Sequence, residues 1–412
     1  CQGSDQAALR DALPAVRDSA GVTIVTDHES ARRDSPTWTV DPDPVLSIGN
    51  FDGPETSFLE APNAAIVLAE GTTVIQNGMR GLFELRYYNN RGELTRSVGR
   101  WGEGPWEFNW VLGTYHLPGD SILVIGRDGR FAVFGPNGEG VREGRRQLPS
   151  LNWEPGALVD PRHLALEESH GIREENLLQR PRRSYRIHDL VDGTTQTVAS
   201  VADAWQLVVP RPGAIGVNTY PFTPRGYFAA GSGRLWVGQS DLPEIKGFDA
   251  GGALVTLIRF TREPRRVTRE DRRVWADSAL AGARLPAHVR MTQSALDRMG
   301  YPDLMPYFGL LTVDRLGNLW VQRYETSWDE GPQYWDVYTR EGFWTALVAI
   351  PEQILPRRAR RHPAPRLEIP EIGDDYLLIQ QEDSLGVRSV RRYPLQKGAA
   401  GEKPGGANPG SR

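Results

Sequence analysis

Short apolar runs, each closed by a tight polar turn, recur along this chain in sets of four. The set at 226–260 reads GYFAAGSGRLWVGQSDLPEIKGFDAGGALVTLIRF. A second occupies 307–350 and a third 64–99; weaker copies lie at 112–145, at about 155–200 and at 367–393. The turns between third and fourth runs share one chemistry. Asn90-Arg91-Gly92, Pro136-Asn137-Gly138, Ala250-Gly251-Gly252 and Arg340-Glu341-Gly342 each set a residue tolerant of positive φ between extended segments. Four strands per unit, repeated every 35–55 residues or roughly so, are the signature of a β-propeller. Six units predict an all-β, six-bladed β-propeller over residues 21–396. A closed ring leaves few free sheet edges, but its two ends must be joined. Two strand-like segments precede the first unit, GVTIVTDH (21–28) and PVLSIG (44–49). One of them is expected to complete the last blade.

Residues 262–306 break the rhythm. Thr268-Arg269-Glu270-Asp271 matches a capping box with Asp in place of Glu. Val274, Leu280, Met291, Leu296 and Met299 then follow a loose helical period. This predicts a helical insertion between blades four and five, lying across one face of the ring. The Gly/Pro-rich tail at 397–412 is expected to be disordered.

Composition narrows the function classes. The net charge of −4 over 412 residues gives no reason to expect a nucleic-acid partner. No run of 18 apolar residues exists to cross a membrane. The single cysteine allows no internal disulfide, and it is residue 1. Behind Cys1 runs QGSDQAALRDALPAVRDSA (2–20), small, polar and weakly patterned. This arrangement predicts a bacterial lipoprotein: a signal peptide cut ahead of Cys1, a covalent lipid on Cys1, and a tether over 1–20. As a flexible coil that tether spans roughly 25 Å. The propeller would then sit at an extracytoplasmic, periplasmic membrane surface.

The stretch RSVGRWGEGPWEF (96–108) resembles the GR-x-GEGPGEF signature of bacterial six-bladed β-propeller lipoproteins, the NHL-like and TolB-like propellers of Gemmatimonadota and Bacteroidota. The opening GVTIVTDH…PTWTV…PVLSIG and the VDRLGNLWV segment (313–321) resemble them too. The likeness runs over nearly the whole chain beyond residue 20. It implies the propeller fold and an exported, lipid-anchored protein, and it implies little about activity. The chain departs from the signature at Trp101 and Trp106, where the family carries polar residues or Gly.

Catalytic patterns are sparse. His28, His116, His163, His170, His188, His288 and His362 form no HExxH, HxH or other paired ligand spacing. There is no GxSxG elbow and no EF-hand loop. Some six-bladed propellers are lactonase-like hydrolases with a metal held in the channel by acids from different blades, and others are quinone-dependent sugar dehydrogenases. Glu70, Asp128 and Asp314 are the candidate acids for such a site, although turn capping accounts for them more simply. No metal and no cofactor besides the lipid on Cys1 is expected.

Aromatic and basic residues carry more information. Of the 12 tryptophans, Trp236, Trp320 and Trp335 fit blade packing, whereas Trp101, Trp106 and Trp110 cluster in a Gly/Pro-rich connection. A Trp on a rigid loop is a common interface anchor. Arginine runs occur at 179–186, 262–273 and 356–366, against only three lysines in the chain. In the last run Arg357, Arg358, Arg360 and Arg361 are candidates for contact with a partner or anionic headgroups. The expectation is a non-catalytic propeller that docks, through Trp101, Trp106, Trp110 and these arginines, onto a membrane complex, for instance an energy-transducing one. A propeller enzyme and a glycan or peptide receptor are the alternatives.

Overall fold

The computed structural model describes residues 15–27, 37–50, 58–78, 81–149, 153–171, 178–211, 214–281, 286–326, 328–355 and 371–398. Within them the chain is mostly strand, with two α-helices, in a propeller-like arrangement.

Three antiparallel sheets of four strands come first. Sheet I holds Pro62–Val67, Thr73–Asn77, Glu84–Tyr88 and Leu94–Val98. Sheet II holds Val111–Leu117, Ser121–Gly126, Arg130–Phe134 and Gly140–Arg145. Sheet III holds Trp153–Asp160, His163–Ser169, Arg182–Asp189 and Thr195–Ala202. Sheet IV repeats the plan with Gly226–Gly231, Arg234–Gln239, Glu244–Asp249 and Leu254–Phe260, then adds Val22–Asp27 and Ala15–Ser19 at its outer edge. Sheet V is continuous over nine strands. Its first half is Phe308–Val313, Leu319–Arg323, Gln333–Tyr338 and Trp344–Ile350. Its second half is Glu371–Ile372, Tyr376–Glu382, Arg388–Gln396 and Leu46–Ile48. Thr37–Val40 joins the halves, parallel to Trp344–Ile350 and antiparallel to Arg388–Gln396.

The sheets follow from the sequence pattern. Strands in the middle of each sheet are buried on both faces and read as apolar runs, such as Arg234–Gln239 and Leu319–Arg323. The expected turns form as read. Gly92, Gly138, Gly252 and Gly342 all adopt positive φ, and each donates its N–H three residues back, to Asn89, Gly135, Asp249 and Thr339 respectively.

The core lies between sheets. Successive apolar clusters join I to II, II to III, III to IV, IV to the first half of V, and the two halves of V to one another. A further cluster brings Leu378 and Val390 against Leu59, Ala65, Val67 and Ile75, so the second half of V packs back on sheet I. The arrangement therefore closes on itself. Trp236, Trp320 and Trp335 are buried in these seams, as expected.

The first and last described segments are tied in by strands. Leu46–Ile48 completes the last set, pairing with Arg392, Arg391 and Val390, so the 44–49 segment is the clasp. The 21–28 segment instead runs parallel to Leu254–Phe260 in sheet IV. Of the tether expected over 1–20, only residues 15–20 lie within the described residues. Of these, Ala15–Ser19 are a strand that pairs residue for residue with residues 22–26, because the Ala20-Gly21 turn folds it back. The tail expected over 397–412 lies, but for 397 and 398, outside the described residues.

The insertion is helical where expected, with α1 at Arg269–Ala281 and α2 at Pro286–Met299. Its capping box is real. The Thr268 N–H donates to Asp271 Oδ2 at 2.9 Å and the Asp271 N–H donates to Thr268 Oγ1 at 3.1 Å. The pair rests on a small sheet of Leu178–Gln179, Gln206–Arg211 and Ala214–Thr219, with Leu207 packed against Ala295 and Leu296. No local pattern singles out this hairpin between sheets III and IV.

Candidate functional site

The connection from sheet I to sheet II is a built loop. Glu107 is its keystone: Oε2 accepts the Gly104 N–H at 2.8 Å and Oε1 accepts the Arg100 guanidinium. The Gly104 N–H first, then Arg100, hold the Glu107 carboxyl below the usual carboxylate range. Gly102 lies so close to this carboxylate that a side chain there would be driven into it. The Phe108 N–H returns to the Arg100 carbonyl at 3.1 Å, and Phe108 is buried edge-on to Phe83. The glycines, Glu and Phe of the 96–108 motif thus have local structural reasons.

The three tryptophans of this loop diverge. Trp106 adopts a left-handed backbone with φ 60°. Two contacts hold it there: its N–H donates to Glu143 at 2.9 Å, and its ring lies 5.4 Å from Phe134 against the sheet I–II core. Trp101 and Trp110 stay in solvent, at 37% and 57% exposure. The Arg127 guanidinium sits 5.1 Å over the Trp110 ring.

The arginines of the runs at 179–186 and 262–273 largely pair within the molecule. Arg180 pairs with Asp241 at 2.8 Å, Arg183 with Asp203 at 2.6 Å and Arg186 with Glu168. Arg262 reaches the fully buried Asp336 at 2.8 Å, and Arg265 reaches Asp271 at 3.3 Å. Arg272 lies over Tyr301, and Arg273 pairs with Glu270 and Asp277. Cys1, Arg357, Arg358, Arg360 and Arg361 lie outside the described residues.

The candidate channel acids are turn residues. Asp314 accepts the N–H groups of Leu316 and Asn318 and the Trp320 indole N–H. Asp128 accepts the Arg130 N–H at 3.1 Å, and Glu70 is exposed. Among the described residues no group of three or more His, Cys, Asp or Glu could hold a metal ion.

Sequence reasoning missed a second polar assembly. Arg315, in the turn after Phe308–Val313, donates to the Val67 carbonyl at 2.6 Å, to Tyr376 Oη at 3.3 Å and to His116 Nδ1 at 3.1 Å. His116 Nε2 meets Asp120 Oδ1 at 3.0 Å. Tyr376 donates to Glu371, which also accepts the Val67 N–H at 3.1 Å, and Asp120 accepts the Ala69 N–H at 3.0 Å. One side chain of sheet V thus touches sheets I and II and the second half of V. Only near the axis, where the first strands of the sets converge, can one residue reach so many neighbours. No local pattern marks Arg315, whose partners lie 61 to 248 residues away.

No family model and no curated protein matches this chain. Solved structures do resemble it. A protein of Bacteroides fragilis held to be exported is 12% identical, with 91% of this chain and all of that one aligned and a TM-score of 0.44. A DUF4221 family member from Bacteroides vulgatus is 10% identical over 88% of this chain and all of its own, with a TM-score of 0.47. A calcium-binding regucalcin from Agrobacterium tumefaciens is 12% identical over 89% of this chain and 98% of its own, with a TM-score of 0.34. Likeness at this level says nothing of what this chain binds or catalyses.

Proposed function

We propose that this chain is a six-bladed, extracytoplasmic propeller, anchored by lipid on Cys1, that acts as a non-catalytic docking subunit of a membrane complex. The six-blade count is inferred from the cyclic series of apolar seams, with the two halves of sheet V taken as blades five and six. The docking reading is carried by one observation: a loop fixed by Glu107 and Glu143 presents the Trp101 and Trp110 indoles to solvent. A rigid loop loses little entropy on binding, and exposed indoles are the side chains that most often anchor interfaces. Trp106 contributes by holding the loop.

The test uses native membranes solubilised in mild detergent and separated by size. Wild-type chain is expected to migrate with a large membrane assembly, with an acylated N-terminal peptide. Trp101→Ala/Trp110→Ala is expected to leave that assembly while keeping the wild-type circular dichroism and melting curve, at a cost to binding of about 2 kcal/mol or more. Migration of wild type as a free monomer would sink the subunit role. Unchanged co-migration of the double variant would move the interface elsewhere.

A further inference from the structure

We propose that Arg315 is an acid-released crossbar, closing one mouth of the axis by joining sheet I, sheet II and both halves of sheet V. Its geometry depends on the protonation of its neighbours. A guanidinium can only donate, so His116 Nδ1 accepts from Arg315 and the imidazole proton is on Nε2, directed at Asp120. The bond exists only while His116 is neutral. A second proton on the ring must land on Nδ1, where it removes the acceptor and sets a cation against Arg315.

The other groups facing this point are few. Asp120 comes from the sheet II turn, and Glu371 and Tyr376 from the second half of sheet V. Sheet I supplies the Val67 carbonyl and the Val67 and Ala69 N–H groups, and Glu70 of that turn is exposed. Burial first, and then Arg315, hold His116 below the ordinary imidazole range. Burial raises the Glu371 carboxyl above its ordinary range. Acidification therefore loosens the crossbar at His116, where it adds a charge that repels Arg315, while at Glu371 it relieves the cost of burying a carboxylate.

The sign for His116 follows from linkage. Its depressed value means that the neutral ring's contribution is complete above the unfolded imidazole range and is lost as pH falls from that range through the lower folded-state range. Glu371 and Glu325, both raised, shift global stability the opposite way, so a melting temperature is the wrong readout. Local amide exchange at Val67 and Ala69, whose N–H groups are held by Glu371 and Asp120, reads the mouth itself.

Exchange would be compared at about pH 7.5 and about pH 5.5, after correction for intrinsic rates, in wild type and in His116→Gln. Gln offers an acceptor to Arg315 and a donor to Asp120 but cannot take the proton. Wild-type protection at Val67 and Ala69 is expected to fall about tenfold, and that of the variant less than about twofold. Wild-type protection that holds through the range, or an equal loss in His116→Gln, would overturn the crossbar. If the variant does not fold, the wild-type imidazole can be followed by NMR. Protection that falls from the ordinary imidazole range and levels off where His116 titrates supports the proposal, and protection that changes with no relation to that titration refutes it.

Discussion

At the scale of single residues, the molecule puts a few ionisable groups where charge is costly. Glu325 shows the consequence most directly. Burial pushes its carboxyl up to about 7, and its one charge-stabilising backbone contact is the Tyr334 N–H at 3.2 Å. A raised carboxyl favours the folded state below its unfolded range and loses that contribution as pH rises through 7. Glu325→Gln is therefore expected to stabilise the protein at about pH 8 by roughly 1–2 kcal/mol, discounted for partial exposure, and by almost nothing at about pH 5. Urea unfolding at the two values checks this, and equal effects at both would refute it. The Trp101–Trp106–Trp110 series teaches the same lesson about environment. Spacing alone groups the three, yet a left-handed φ at Trp106 turns one ring onto Phe134 while its neighbours stay in water.

Among the elements, the strands added from the N-terminal segment differ sharply in what they bury. Ile48 is 3% exposed within the cluster that closes the ring, whereas Val16 is 50% exposed on an outer edge. Ile48→Ala is expected to cost about 2–4 kcal/mol and Val16→Ala less than about 0.5. Denaturant melts of the two variants decide whether the clasp or the outer hairpin holds the ends. Most of this architecture was legible beforehand, since period-2 runs and Gly turns are local signals, as at Gly92 and Gly252. The capping box at Thr268 and Asp271 was legible for the same reason. Less could be read where pairing is remote: nothing near residue 206 announces a hairpin that supports α2, and nothing near Arg315 announces His116. The same holds for the arginine runs at 179–186 and 262–273, whose acidic partners, such as Asp336, are distant in sequence.

For the whole molecule, closure governs stability. Arg388–Gln396 is the strand to which Leu46–Ile48, Thr37–Val40 and Tyr376–Glu382 all pair. A chain ending at residue 387 is expected to lose its single cooperative unfolding transition and to bind a hydrophobic dye, because three strands and two apolar seams lose a partner together. A sharp two-state transition in the truncated chain, with an unchanged denaturant slope, would show that the ring does not depend on its last strand.

That last strand also sets a clock for synthesis. Residues 37–48 leave the ribosome first among the closing strands, yet their partners at 390–396 are made some 350 residues later, on the order of half a minute at ordinary elongation rates. Val22–Asp27 waits in turn for Leu254–Phe260. Through that interval the nascent chain carries strand edges whose native partners are not yet made. The fold can thus be completed only once residues 390–396 have been made. A chain in that state needs protection from aggregation, and it remains unfolded enough to be threaded through a narrow passage before its ring is complete.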